Sequence, residues 1–346
     1  MGYTTYLLGA GASAKAIPTY FSKKNNFTKK FIEFIYEFIG SNLENKIVND
    51  NTFLLIVQIR EECPKHYTID TYARKLYLSN TKINKIKLRI LKLLLSNFLE
   101  YWQTPKTNQN QFDVVDYRYD VLLSTILEKS ELNPILQNDI RFISWNYDNQ
   151  LEMALLNFND ANWNIDKIME KYQYYPRNLK MQLDESEQKI VKLNGLAGKY
   201  IQVKSKKNII LNLDKEVGEK NIINRLQIGL STMETTEYLI NFAWEYETNE
   251  ISKNAVNYAK SILKNTNKLI IIGYSFPGYN HDVDLDLFKN LKYTAKTLYQ
   301  SRDKNSAHEI SKIKALLQGN QKRDAKIEHT NYCDNFVLPN QFDLYF

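Results

Sequence analysis

The chain has 346 residues, 43% hydrophobic and 25% charged, a composition that suits a globular protein with a sizeable buried core. No apolar run approaches the ~20 residues of a membrane span, and MGYTTYLL enters a strand-like run with no basic segment before it, so neither a spanning helix nor a secretory signal is expected. Net charge is +7, but the lysines are scattered among asparagines, which argues for solvated faces and only weakly for nucleic acid; two cysteines, Cys63 and Cys333, cannot build a disulfide framework or a four-cysteine zinc site and fit reduced thiols in a cytoplasmic protein.

In chain order, Tyr3–Leu8 reads as a buried strand breaking at Gly9. Phe27–Ile39 has helical spacing, with Gly40 and Ser41 as a stop. Thr52–Ile59 is a strand or a buried helix, and Tyr67–Leu78 is helical with Thr68 as N-cap. Ile83–Trp102 is a long amphipathic helix, Gln103–Gln111 a polar loop or linker, and Val114–Leu127 a further helix. Asp139–Trp145 is a strand followed by a helix over Tyr147–Leu156, and Lys189–Leu193 is another strand. Ser205–Leu213 is ambiguous between states. Ser231–Tyr246 and Ser252–Leu263 read as helices, Lys268–Gly273 as a parallel-type strand, and Ser306–Leu317 as a late helix before an irregular tail from Asn335. Strands alternating with helices at both ends predict an α/β fold: a Rossmann-like parallel sheet with helices on both faces, a single domain over 1–346 with a helical insertion at 22–137 after the first strand.

Four strand ends carry small or polar residues. In LLGAGAS, Gly9-Ala10-Gly11 lets the backbone turn sharply and approach a pyrophosphate, with the amides through Ser13 and a helix N-terminus facing the anion. In FISWNYDNQLE, the strand delivers Asn146 and Asp148 to its carboxyl end, where they suit a ribose and a carboxamide or cap the following helix. KLNG ends at Asn194-Gly195, and LIIIGYSFPG at Gly273 and Ser275. In a parallel sheet all four converge on one edge.

The order of these motifs resembles the sirtuin superfamily: Gly9-Ala10-Gly11-Ala12-Ser13 with Pro18, then Asn146-Tyr147-Asp148, then Lys192-Leu193-Asn194-Gly195, then Gly273-Tyr274-Ser275. The WNYD and IIGYS forms resemble the bacterial sirtuin-like NADases of anti-phage defence. The resemblance implies that Gly9, Ala10, Gly11, Ser13 and Pro18 hold the NAD pyrophosphate, and Gly273 with Ser275 the adenosine side. It gives Asn146 the ribose and the attacking water, and Asp148 the carboxamide or a ribose hydroxyl. Two departures stand out. The zinc ribbon of protein-deacylating sirtuins cannot form from two cysteines, which argues against deacylation. Asn194 stands where the family has a histidine; it can orient a ribose hydroxyl but cannot take its proton. Of the four histidines, His66, His281, His308 and His329, only His281 follows a site motif closely enough to substitute.

The expected function is an NAD+ hydrolase that depletes NAD as a defence effector, with NAD as substrate and no metal. Homo-oligomerisation, or a partner defence protein such as an ATPase, would supply the trigger. The alternative is a non-catalytic NAD- or ADP-ribose-binding subunit of such an assembly, which Asn194 favours.

Overall fold

Residues 2–20, 26–45, 49–106, 111–160, 162–177, 188–202, 207–210, 219–233, 236–302, 306–318 and 326–346 are described by the computed structural model. The chain forms two compact units. The first comprises Met1–Ala14, Val115–Gly195 and Asn241–Phe346; the second comprises Lys15–Val114 and Leu196–Ile240.

The first unit is a doubly wound α/β structure. Its strands are β1 (Tyr3–Leu8), β2 (Ile140–Ser144), β3 (Tyr174–Tyr175), β4 (Ile190–Lys192), β5 (Thr266–Ile272), β6 (Lys296–Gln300) and β7 (Ile327–Thr330). They lie in the order β7-β6-β5-β1-β2-β4-β3, and every pair is parallel. Parallel strands need crossovers, and the hydrophobic runs YTTYLL and KLIII suit strands buried on both faces. Leu7, Ile143, Val191, Leu269 and Ile271 point into one core with the helices Glu250–Lys264, His281–Lys289 and Ala307–Gln318. Their alternates Tyr6, Phe142, Ile190, Ile270 and Leu298 are equally buried on the other face, where the Tyr6 and Phe142 rings stack. From β1 the chain winds outward through β2 to β3 at the edge, steps back into β4 between them, and then returns to the far side of β1 as β5. The strand order therefore reverses between β1 and β5, the place where open parallel sheets form their ligand crevice.

In the second unit the helices Phe27–Asn45, Asp50–Glu62, Ile69–Ser79, Lys82–Gln103 and Glu219–Ser231 accompany a small sheet of Gly195–Gln202, Lys207–Ile210 and Thr236–Ile240. Lys82–Gln103 is its hub, touching Ile69–Ser79, Glu219–Ser231 and Thr236–Ile240. This helix buries Glu100 against Arg225 at 3.0 Å. Burial pushes the Glu100 carboxyl up to about 7 even though Arg225 and Lys199 pull it down.

Several sequence expectations change here. The segment expected as one insertion over 22–137 is divided: residues to Val114 belong to the second unit, while Val115 onward, including helix Tyr117–Ile126, belongs to the first. The second unit also takes a later segment, Leu196–Ile240, which no local pattern joins to it. Helix Phe27–Asn45 runs through Gly40, where a side chain would meet open space and nothing forces a stop. Asp50–Glu62 is helical, started by Asn49, whose side chain accepts from Thr52 N. Thr68 caps its helix as expected, in a reciprocal box with Thr71. The helix read over Ser231–Tyr246 is instead a helix end, the strand Thr236–Ile240 and a 3-10 turn Ala243–Glu245, because pairing with Gly195–Gln202 overrides the helical spacing. Residues 107–110 of the polar loop, and 205–206 and 211–213 of the ambiguous stretch, lie outside the described residues. Among the described residues no helix is long and apolar enough to cross a membrane.

Candidate functional site

Strand register brings the four motifs level. Leu8 pairs with Ile272 on one side and Ser144 on the other, and Ser144 pairs with Lys192. One step beyond this row stand Gly9, Trp145-Asn146, Leu193-Asn194 and Gly273, all in the first unit. The backbone ladder continues into them: Gly9 N donates to Ile272 O, Trp145 N to Leu8 O and Leu193 N to Ser144 O, at 2.8–2.9 Å.

The glycines serve a close crossing. Gly11 N donates to Gly273 O at 2.9 Å. A Cβ on Gly11 would lie 2.6 Å from Gly273 Cα, and one on Gly9 2.5 Å from Tyr274 Cα. Gly273 has φ +60°, and a Cβ there would overlap Gly11. Two backbones thus touch at the switch point, and no side chain fits between them. The α-helix expected to start in this loop is absent. Ala10–Ser13 forms one 3-10 turn, closed by Ala12 N donating to Gly9 O at 2.8 Å. A single turn carries little macrodipole, so a phosphate here would meet individual peptide dipoles. Ala10 is exposed and Ser13 fully buried.

Ser13 joins this loop to the second motif. Asn146 Nδ2 donates to Ser13 Oγ at 3.3 Å, and Ser13 also hydrogen-bonds the Asp148 carboxylate. Asn146 and Asp148 are each 6% exposed. Asp148 Oδ1 accepts from Gln150 N, the first residue of helix Gln150–Asn157, at 3.1 Å, but the N-cap of that helix is Asn149 and has no side-chain cap, so neither Asn146 nor Asp148 takes the N-cap position weighed from sequence. Burial raises the Asp148 carboxyl above the ordinary carboxylate range, partly offset by Lys192.

Lys192 anchors the third motif. Its ammonium donates to Asp148 O at 2.5 Å and pairs with Glu152 Oε1 at 3.2 Å, with both side chains buried. Burial also raises the Glu152 carboxyl, again partly offset by Lys192. Asn194 Nδ2 donates to Trp145 O at 2.8 Å. That bond fixes the amide and leaves Oδ1 as its acceptor face; this oxygen is buried and has no partner among the described residues. Asn241 N donates to Asn194 O at 3.0 Å, clamping the chain where it leaves and re-enters the first unit.

The fourth motif closes the edge. The Tyr274 ring stacks on Trp145 at 5.8 Å, and its hydroxyl donates to buried Asp284 at 2.8 Å. Ser275 is half-buried, and its carbonyl accepts from Lys312 Nζ at 3.0 Å. Pro18 lies in the second unit. His281, considered as a substitute base, opens helix His281–Lys289 with its side chain exposed.

Gly9, Gly11, Ser13, Asn146, Asp148, Asn194 and Gly273 are therefore brought to one edge. Sequence reading missed Asp116, Arg118 and Glu152. The segment around Asp116 and Arg118 reads as an ordinary helix start, and its partners are more than 100 residues away for Gly11 and Ala12. Glu152 left a signal: QLEMALLN is apolar nearly all round, so an acid within it has to be buried and partnered. Among the described residues no group of three or more His, Cys, Asp or Glu is arranged to hold a metal. No protein-family model matches this chain, and no curated protein matches it in sequence.

Proposed function

We propose that the chain is an NAD+ hydrolase of sirtuin-like type, releasing nicotinamide and ADP-ribose and depleting NAD in defence against phage. The observation that carries this reading is the buried Asn194 Oδ1, a fixed acceptor without a partner among the described residues, at the carboxyl edge of the sheet on the strand next to that of Asn146. A buried acceptor left open costs about 1–3 kcal/mol unless something fills it. A ribose hydroxyl is the kind of donor that would do so.

NAD supplies the bond to be broken. As it breaks, nicotinamide leaves with the bonding electron pair, a water oxygen bonds to the ribose carbon, and one proton is released. Asn146 holds the ribose and the water, and Ser13 holds Asn146. Asp148, bound by Ser13 and Gln150, orients that pair. The Gly9–Gly11 turn admits the pyrophosphate at its exposed Ala10 side, and Gly273 with Ser275 borders the adenosine. The catalysis asked of these residues is positioning and the exclusion of solvent.

One observation favours the second reading, a non-catalytic subunit that binds NAD or ADP-ribose. No titratable side chain stands at Asn194, and His281 is exposed on a helix start. Incubating the full chain with NAD and measuring free nicotinamide separates the two. Release above the no-protein rate supports the hydrolase; tight ADP-ribose binding without release supports the subunit.

A further inference from the structure

We infer that Arg118 is the positioning residue of the Gly9–Ser13 turn and, through Asp116, couples that turn to Asp148. The inference rests on the nucleotide reading above for its purpose, though not for its geometry.

Arg118 reaches under the turn from the first residues of helix Tyr117–Ile126. Its Nη2 donates to Gly11 O at 2.9 Å and to Ala12 O at 3.3 Å. The turn does not continue as a helix, and within it Gly11 O accepts only a long bond, from Ala14 N at 3.4 Å. The guanidinium adds a charged donor to both carbonyls, as a cation does at a helix C-terminus.

Arg118 is itself held by Asp116 and Phe336. Nε donates to Asp116 Oδ1 at 2.8 Å and Nη2 to Asp116 Oδ2 at 2.6 Å, a fork-to-fork pair. The guanidinium carbon lies 4.7 Å from the centroid of the Phe336 ring. Both charged side chains are buried, at 3% and 0% exposed. Asp116 N then donates to Gln150 Oε1 at 2.7 Å, and Gln150 N donates to Asp148 Oδ1 at 3.1 Å. Hydrogen bonds thus run unbroken from Gly11 to Asp148.

Burying an ion pair is not in itself a source of stability, since apolar residues of the same shape often do as well or better. What this pair fixes is direction. In a trans peptide the N–H points opposite to the C=O. With the carbonyls of Gly11 and Ala12 drawn to Arg118, the N–H ends of those peptides turn away from it: Ala12 N closes the turn on Gly9 O, and Ser13 N–H is directed toward the side from which an anion would approach. Lysine cannot reproduce this, because it lacks the planar fork that spans Asp116 and the turn together.

The test uses the full chain with Arg118→Lys, Arg118→Met and Asp116→Asn. Amide hydrogen exchange is followed at residues 10–14 and in β5 and β6, and affinities for ADP-ribose and for adenosine are measured by calorimetry. In Arg118→Lys, exchange at residues 12–14 should accelerate about tenfold while β5 and β6 stay unchanged, and ADP-ribose affinity should fall about tenfold with adenosine affinity held. Unaltered exchange in the turn, or equal acceleration in β5 and β6, overturns the inference. Equal loss of ADP-ribose and adenosine affinity overturns it too. If the native chain binds neither ligand, the nucleotide reading fails, and the exchange data alone decide whether Arg118 positions the turn. Should Arg118→Met not fold, Arg118→Lys, which keeps the charge, still gives the answer.

Discussion

Between β1 and β5 the chain crosses the switch point by leaving side chains out, whereas between β2 and β4 it fills the same edge with buried polar groups. Gly9, Gly11 and Gly273 allow backbone to lie on backbone. Ser144, Asn146, Asp148, Lys192 and Asn194 are all buried within one hydrogen-bonded cluster. The glycine half is rigid because there is no room; the polar half is rigid because each group holds another. Damage should therefore look different on the two sides: steric and pH-independent on the first, electrostatic and pH-dependent on the second.

The largest effect is expected from Lys192→Met. It leaves Glu152 buried without its cation and frees Asp148 O, and breaking such a pair costs about 3–5 kcal/mol. Urea unfolding should show it. The sign of its pH dependence follows from burial, which raises both Asp148 and Glu152. The folded state keeps protons that the unfolded chain releases, so stability falls as pH rises above the ordinary carboxylate range. Lys192 restrains that fall, so the variant should lose stability with rising pH more steeply than the native chain. A flat profile would show that the pair carries no weight.

Gly273→Ala comes next. The new Cβ meets Gly11 at a positive φ, and about 2–4 kcal/mol should be lost, with no change in pH dependence. The same unfolding series checks it. A variant as stable as the native chain would mean that the crossing is looser than its geometry. Gly11→Ala should behave alike, which sets the local cost of the crossing apart from any loss of nucleotide affinity.

Asn146→Ala tests the polar half for function. Under the hydrolase reading, nicotinamide release should drop about 10²-fold, because a positioning amide acts mainly in the transition state. ADP-ribose affinity should stay within about tenfold. Release measured at saturating NAD checks the first figure and calorimetry the second. Equal turnover in both proteins removes Asn146 from the mechanism.

The smallest change is expected from Asn194→His. Histidine can keep a donor on Trp145 O and adds a group able to take a proton, so release should rise a few-fold with an apparent pKa near ~6.5. A nicotinamide-release assay across the histidine titration range reads it. A pH-flat loss would mean that the asparagine amide is the functional group and that the polar half works without a titrating base.

The parallel sheet and its four motif-bearing strand ends were legible because each rests on a local pattern. YTTYLLG, IRFIS, IVK and KLIIIG are apolar runs ended by a glycine or a polar residue, and strand formation there depends on what lies within a few positions. The helix read over Ser231–Tyr246 failed for the converse reason: its second half is a strand only because Gly195–Gln202 lies beside it. Within the site, Gly9, Gly11, Asn146, Asp148 and Asn194 could be named from sequence, but their couplings could not. Ser13 reaches Asn146 across 133 positions, and Arg118 reaches Gly11 across 107.

What the sequence by itself determined was the type of fold and the residue types at its carboxyl edge, since strand periodicity and glycine turns are short-range. Tertiary structure alone decided three further things. It decided that the glycine loop ends in a single turn, braced by a guanidinium from a distant helix start. It decided that Asn194 presents its oxygen, because Trp145 O occupies its amide nitrogen. And it decided that Glu152 and Lys192 are partners, because burial makes an unpaired charge too costly to keep and only the folded chain brings the two within 3.2 Å.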